Sequence, residues 1–301
     1  MKFLVVHNDY GTRSGEEVTV DNHCRLLRAH GHDVLEFRRS STELAGRALG
    51  SARAFLSGIY NPSARRAIAA LVERDRPDVA FVQNLYPLIS PSILPVLGRA
   101  GVPVVMRVAN FRLVCPNGLF LSKGQICTRC VGGREYWCLV RNCERSLPKS
   151  AGYALRNAVA RRQRWYLDHV SVFITATRFL GTWLAEAGIG KERIHVISNP
   201  VLPPPGEAVR EAPGSYVAYF GRMSREKGID LLFDAARRCP DIRFRLAGAR
   251  NPAYELPREM PANAELVGPL HGEALQAFIG GARVVVSPSL CYETFGMSVA
   301  E

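Results

Sequence analysis

The chain has 301 residues, 47% hydrophobic and 22% charged, values of a globular protein with room for about two ordinary domains. They exclude whole-chain disorder and a collagen-like repeat, and since no apolar run approaches the ~20 residues of a bilayer span, they exclude a transmembrane bundle. Lys and Arg number 39 against 27 Asp and Glu, a net charge of +12, which suits nucleic acid, anionic lipid or nucleotide phosphate without choosing among them.

The first apolar stretch, Lys2 to His7, is cut short by Asn8 and Asp9. It reads as a strand and is too brief for the core of a signal peptide, so a cytoplasmic protein is expected. A helix over about Glu16 to Ala29 follows, ending before Gly31. Val34 to Phe37, the run Arg76-Pro-Asp-Val-Ala-Phe-Val-Gln-Asn84, Val102 to Val108 and Val170 to Thr177 are further short apolar strands at the ends of helical segments. Continuous apolar strands alternating with helices predict a parallel sheet covered on both faces.

Around Ile197-Ser-Asn-Pro-Val-Leu-Pro-Pro-Pro-Gly206 the periodicity stops and proline dominates, as in a semi-rigid linker. The alternation then restarts with Tyr216 to Phe220 as strand, Gly228 to Arg238 as helix, Ile242 to Ala247 as strand, Glu273 to Ile279 as helix and Arg283 to Ser287 as strand. The expectation is α/β with two tandem Rossmann-like domains: residues 1–200, a Pro-rich linker at 201–214, and 215–301. Ligands of such folds bind at the C-terminal ends of the strands.

Two motifs carry chemistry. Gly221-Arg-Met-Ser-Arg-Glu-Lys-Gly228 lies between a strand and a helix, placing Arg222, Lys227 and a helix start at one sheet edge, where phosphate groups bind. Two cations there suit the charge that grows on a departing diphosphate; a solvated basic turn would look the same. In the closing segment, Ser287-Pro-Ser-Leu-Cys-Tyr-Glu293-Thr-Phe-Gly-Met-Ser-Val-Ala-Glu301, the two Glu are eight apart around a glycine loop. Free amides there suit phosphate and sugar oxygens, and the carboxylates suit vicinal hydroxyls.

Together with Leu246-Ala-Gly248 and Val267-Gly268-Pro-Leu270, these motifs in this order resemble the family 4 retaining glycosyltransferases of the GT-B fold, in a branch with a Cys-rich segment. The resemblance runs over essentially the whole chain, through Gly31-His-Asp-Val and Asn110-Phe-Arg-Leu-Val-Cys-Pro-Asn-Gly118. It implies transfer of a sugar from a nucleotide-diphosphate sugar to a hydroxyl of a glycan or lipid-linked acceptor, in polysaccharide or glycoconjugate biosynthesis, with no cofactor required. Arg222 and Lys227 would hold the diphosphate, and Glu293 would meet the sugar with the amides of Phe295, Gly296, Met297 and Ser298. Glu301 would bind the ribose, and Gly268 to Leu270 would lie against the base. The loop Tyr10-Gly-Thr-Arg-Ser-Gly15-Glu16 would approach the donor phosphates and the acceptor. Many relatives carry His immediately before the Asn-Phe-Arg tripeptide. Here that position is Ala109, leaving Asn110 or Arg112 to substitute.

Cys115 precedes Cys127-x₂-Cys130-x₇-Cys138-x₄-Cys143 in the segment 115–143. The first pair has zinc-knuckle spacing, so structural zinc on Cys127, Cys130, Cys138 and Cys143 is one reading; the wider second pair favours buried thiols or an acceptor-side lid. From Arg134 to Arg164 there are eight Lys or Arg and two acids, with Tyr136, Trp137, Tyr153 and Trp165 in or beside them. This composition suits peripheral contact with an anionic membrane, at the inner face of the cytoplasmic membrane, or simply a solvated basic face. His7, His23 and His271 are scattered and receive no role.

A nicotinamide-dependent oxidoreductase is disfavoured because the first loop is not G-x-G-x-x-G. A basic, zinc-knuckled nucleic-acid-binding protein is the non-enzymatic alternative, and it leaves the second-half motifs unexplained, so nucleic acid is not the expected partner. Ending on Glu301, the second domain is expected to be truncated, making the chain a fragment that is inactive alone.

Overall fold

The computed structural model describes residues 1–10, 15–44, 50–200, 214–251 and 253–300. It divides into two compact units, Met1–Ser122 with Cys127–Pro200, and Val201–Glu301 with Lys123–Ile126. The expected linker at 201–214 falls, except for Gly214, outside the described residues.

Up to Pro200 the strands are β1 (Lys2–Asp9), β2 (Asp33–Ser40), β3 (Val79–Val82), β4 (Val104–Val108), β5 (Leu121–Ser122), β6 (Gln125–Ile126), β7 (Val172–Thr175) and β8 (Ile194–Val196), all but β6 belonging to the first unit. Six of them form one sheet in the order β2-β1-β3-β4-β7-β8, all pairs parallel. β5 and β6 pair separately. Leu4, Val5, Val6, Ala80 and Val82 are fully buried, because a parallel strand with both faces covered has no side left for water. The helix Gly15–Ala29 covers one face through Val20 and Cys24, which pack on Val5 and Phe81. The chain runs from β1 outward to β2 and then returns to β3 on the other side of β1, so the connections diverge between β1 and β3.

Boundaries differ from the sequence expectation where proline and left-handed residues intervene. Pro103 keeps β4 from starting at Val102. The basic stretch from Arg134 to Arg164 contains a helix over Leu147–Arg162: Pro148 sits in its first turn, where a missing N–H costs nothing, and Arg164 turns left-handed at φ 53° beyond its end.

The second unit contains β9 (Tyr216–Phe220), β10 (Arg243–Ala247), β11 (Ala264–Gly268) and β12 (Ala282–Val285), ordered β11-β10-β9-β12 and parallel throughout. Alternate residues of β9 sort to opposite faces, as strand geometry requires. Val217 and Tyr219 pack with the helix Ile229–Arg238 through Leu232 and Phe233. Tyr216, Ala218 and Phe220 pack with the helix Gly272–Gly280 through Phe278. Here the connections diverge between β9 and β12, so the loops following those two strands flank the crevice where ligands of such sheets bind.

Candidate active site

The loop after β9 starts at Gly221 and the loop after β10 at Gly248. Both residues have φ near +144° (143° and 144°), and a Cβ on Gly248 would lie 1.8 Å from the Gly221 carbonyl oxygen. Only glycine permits this approach. A Cβ on Gly228 would similarly lie 2.0 Å from the carbonyl oxygen of Pro288, at φ 72°. That contact, with the Leu290 N–H donating to the Glu226 carbonyl at 2.8 Å, joins the loop after β9 to the loop after β12.

The joined loops bring Arg222, Lys227 and Glu293 together. Lys227 Nζ lies 2.5 Å from Glu293 Oε1, both side chains half-buried, and Ser289 Oγ donates to the same oxygen. Arg222 Nη2 pairs with Glu226 Oε1 at 2.8 Å, an oxygen that also accepts from Ser224 Oγ at 2.7 Å. Each cation is thus matched by a carboxylate of its own loop system. Tyr219 donates through Oη to the Arg222 carbonyl at 2.8 Å. Burial pushes its phenol well above the ordinary range, and the Glu293 charge adds to the shift. Burial, then Glu293, also raises the Cys291 thiol.

The remaining predicted donor residues are placed as follows. Phe295 to Ser298 are half-buried, with Gly296 left-handed at φ 75° and its carbonyl accepting from Val299 N–H at 2.8 Å, at the start of the helix Met297–Ala300. The Gly268 carbonyl accepts from Gly248 N–H at 2.8 Å, and Leu270 packs against the core around Phe278, so it is half a core residue. Glu301 lies outside the described residues.

In the first unit, Gly11 to Ser14 also lie outside them. Gly15 opens its helix with nothing within 4 Å of a Cβ built on it. At the strand ends beside it, Glu16 accepts from Tyr10 Oη at 3.1 Å and from Asn110 Nδ2 at 3.0 Å. Arg112 Nη1 donates to Tyr10 Oη at 2.8 Å and to Asn84 Oδ1 at 3.4 Å, and its guanidinium sits 5.5 Å from the Tyr10 ring centroid. Burial, then the Glu16 charge, holds the Tyr10 phenol protonated. A pocket here is lined by Glu16, Asn84, Tyr86, Ala109, Arg112 and Tyr166 among others. The space beside Ala109 therefore has a guanidinium and two amides within one network. Asn84 was not singled out by the sequence; its signal is a polar residue closing a buried apolar strand at the divergence point.

Among the described residues, His7, Asp9 and Glu17 form the set of metal-ligand types whose ligand atoms all lie within 4.8 Å of one another. Their partners point elsewhere. The Asn84 N–H donates to His7 Nδ1 at 3.4 Å, which in a neutral ring leaves the proton on Nε2, 3.6 Å from Asp9 Oδ1. Arg38 Nη2 stands 3.2 Å from that same oxygen, so a second cation there meets a guanidinium first.

Cys130, Cys138 and Cys143 pack as one small cluster with Ala154, Trp137 and Tyr153. Burial pushes the Cys115 thiol up to about 11 and Cys130 up to about 12. Cys138 and Cys143 hydrogen-bond each other, which keeps Cys138 protonated and makes Cys143 the first to ionise. Cys127 is half-exposed.

Two family descriptions match the chain, "Glycosyl transferase 4-like domain" over residues 14–200 and "Glycosyl transferases group 1" over residues 214–301. Solved structures similar to it include Anabaena Alr3699/HepE in complex with UDP-glucose, at 16% identity and TM-score 0.56, with 99% of this chain and 77% of that chain covered. The apo form of the lipopolysaccharide outer core galactosyltransferase WaaB matches at 13% identity and TM-score 0.56, covering 100% of this chain and 77% of that one. At such identities the likeness is one of fold, the two Rossmann-like domains of the GT-B class. No curated protein matches. The first family match alone spans more than half of the sequence, and the chain accordingly belongs to the 4-like glycosyl transferase family.

Proposed function

We propose that the chain is a retaining glycosyltransferase, of the branch with a Cys-rich segment, that takes its sugar from a nucleotide-diphosphate donor and passes it to a hydroxyl of a glycan or lipid-linked acceptor. The observation that carries this is the meeting of Arg222, Lys227 and Glu293 at the divergence point of the second sheet, in loops fixed by glycine contacts. The paired carboxylates explain how two cations are kept there without a ligand. A donor diphosphate takes Lys227 from Glu293 and Arg222 from Glu226, and the freed Glu293 then accepts from sugar hydroxyls. In this reading Gly268 and Leu270 would meet the base, the amides of Phe295 to Ser298 would meet phosphate and sugar, and Glu301, outside the described residues, would bind the ribose.

In the transfer, the bond from the anomeric carbon to the diphosphate oxygen breaks. The acceptor oxygen bonds to that carbon on the same face, and its proton passes to the departing phosphate oxygen. Arg222 and Lys227 neutralise the charge that grows there, which is the largest electrostatic demand of the step. Glu16, Asn110 and Arg112 border the acceptor side, and Gly15 leaves backbone exposed beside them. The Cys-rich segment acts as a thiol-cored support for that side.

The Anabaena relative was solved with UDP-glucose and with UDP, which makes uridine diphosphate sugars the first donors to try. A mass-spectrometric screen of nucleotide sugars for transfer or hydrolysis tests the proposal, with Glu293→Ala and Lys227→Ala as controls. Activity that is lost in both variants is expected; activity unchanged in both overturns the site. Calorimetry with UDP, GDP and a single-stranded oligonucleotide adds a second check, since binding of the oligonucleotide alone would favour a nucleic-acid protein.

A further inference from the structure

We propose that one face of the first unit docks on an anionic phospholipid surface, through three neighbouring helices that combine exposed apolar side chains with cations. The helix Leu147–Arg162 buries Ser150, Ala154, Asn157 and Ala160. Its opposite stripe, Leu147, Ala151, Leu155 and Ala158, is apolar and faces outward, with Leu147 59% and Leu155 47% exposed. An amphipathic surface helix normally shows polar residues there.

The two elements packed on this helix continue the pattern. The short helix Tyr136–Val140 leaves Tyr136, Leu139 and Val140 exposed, Val140 at 64%. The helix Gly50–Ile59 approaches at Gly152, where a Cβ would meet the Phe55 ring at 2.5 Å. Its neighbouring Leu56 is 63% exposed, and Tyr60 just beyond is exposed too. Seven large apolar side chains in solvent on, or just beyond, three adjoining helices are more than scattered surface residues account for.

Charge selects the occupant. Of the two acids between Arg134 and Arg164, Glu135 is buried and paired with Arg161 at 2.6 Å, which leaves the half-buried Glu144 as the single acid set against the surface cations of this stretch. Arg156 is withdrawn into the interior, stacked between the Tyr86 and Tyr153 rings at 4.1 and 4.2 Å. That leaves Arg134, Arg145, Lys149 and Arg162 exposed around the apolar residues. A surface that is both apolar and cationic fits the boundary between acyl chains and anionic headgroups. A second copy of this chain would set these cations against each other. Among the described residues no helix is long and apolar enough to cross a membrane, so contact through this face is peripheral.

The inference is independent of the donor chemistry, and its test needs no turnover. The 301-residue chain is floated with vesicles of phosphatidylcholine alone, and with vesicles containing about one third phosphatidylglycerol, where each cation near the surface contributes about fivefold in partitioning. Binding at least about tenfold stronger to the anionic vesicles, and weakened by salt, is expected. The triple variants Leu139→Gln/Val140→Gln/Leu155→Gln and Arg145→Gln/Lys149→Gln/Arg162→Gln should each lose it while keeping the parent melting temperature, because all six positions are exposed. Equal binding to both vesicle types, no binding, or binding retained in either variant overturns the proposal. So does concentration-dependent self-association by light scattering that the first triple variant abolishes.

Discussion

The strand-end loops of the two units are held by different means. In the second unit backbone meets backbone: Gly248 against Gly221 and Gly228 against Pro288. In the first, side chains do the holding, through the Tyr10, Glu16, Asn84, Asn110 and Arg112 network and through the buried His7 beside Asp9. A backbone contact tolerates no substitution at its own position and is indifferent to protonation. A side-chain network tolerates conservative changes and answers to pH.

The largest expected effect breaks the backbone contact. Gly248→Ala puts a methyl group inside a carbonyl at a left-handed φ, and should cost at least about 3 kcal/mol by chemical denaturation. Gly15→Ala, with open space at its Cβ, should stay within about 0.5 kcal/mol or gain slightly. If the two variants melt alike, glycine is not what holds the second unit's loops.

Acid should separate the units next. Burial lowers the pKa of His7 from 6.5 to about 4. The unfolded chain therefore takes up a proton near pH 6.5 that the folded chain takes up only near 4, and stability falls as pH drops between those values. The loss approaches about 3 kcal/mol below pH 4. His7→Asn should flatten the slope of stability against pH over that window. An unchanged slope would remove His7 from the comparison.

A third test concerns binding rather than folding. Lys227→Ala should weaken UDP by about 10- to 100-fold, the worth of one charged hydrogen bond of about 1.5–3 kcal/mol, and move stability by no more than about 1 kcal/mol, since its pair with Glu293 is half-exposed. The smallest effect is expected at the cysteines. Purified protein should hold less than about a tenth of an equivalent of zinc, and a chelator should leave the melting temperature unchanged. A stoichiometric ion would move the Cys-rich segment from side-chain packing to metal as its support.

Much of this architecture was legible in the sequence where one signal dominated. β9 is read at Tyr216 to Phe220 with both ends in place, because an apolar run meets Gly221. That Arg222 and Lys227 share one sheet edge follows from strand, glycine and helix order, whereas Glu293 is tied to the same site in the sequence only by the family resemblance. β8 and β11 were not read as strands: both are edge strands with exposed residues such as Val196 and Leu266, and an edge lacks the continuous apolar run of a central strand. Asn84 and the stacking of Arg156 were also not legible. Each depends on rings and amides from distant parts of the chain, and Arg156 in sequence is one more cation in a basic stretch. Leu270, expected against the base, turns out to share its surface with the core around Phe278.

The contacts at Gly221, Gly228 and Gly248 bear on how such an enzyme could be re-engineered. Selection for folding alone would already forbid change at these positions, so their invariance in a mutant library would say nothing about the sugar. Choice of donor would have to be altered at neighbours whose Cβ is already accommodated, such as Phe295 and Ser298, leaving the scaffold of the loops untouched.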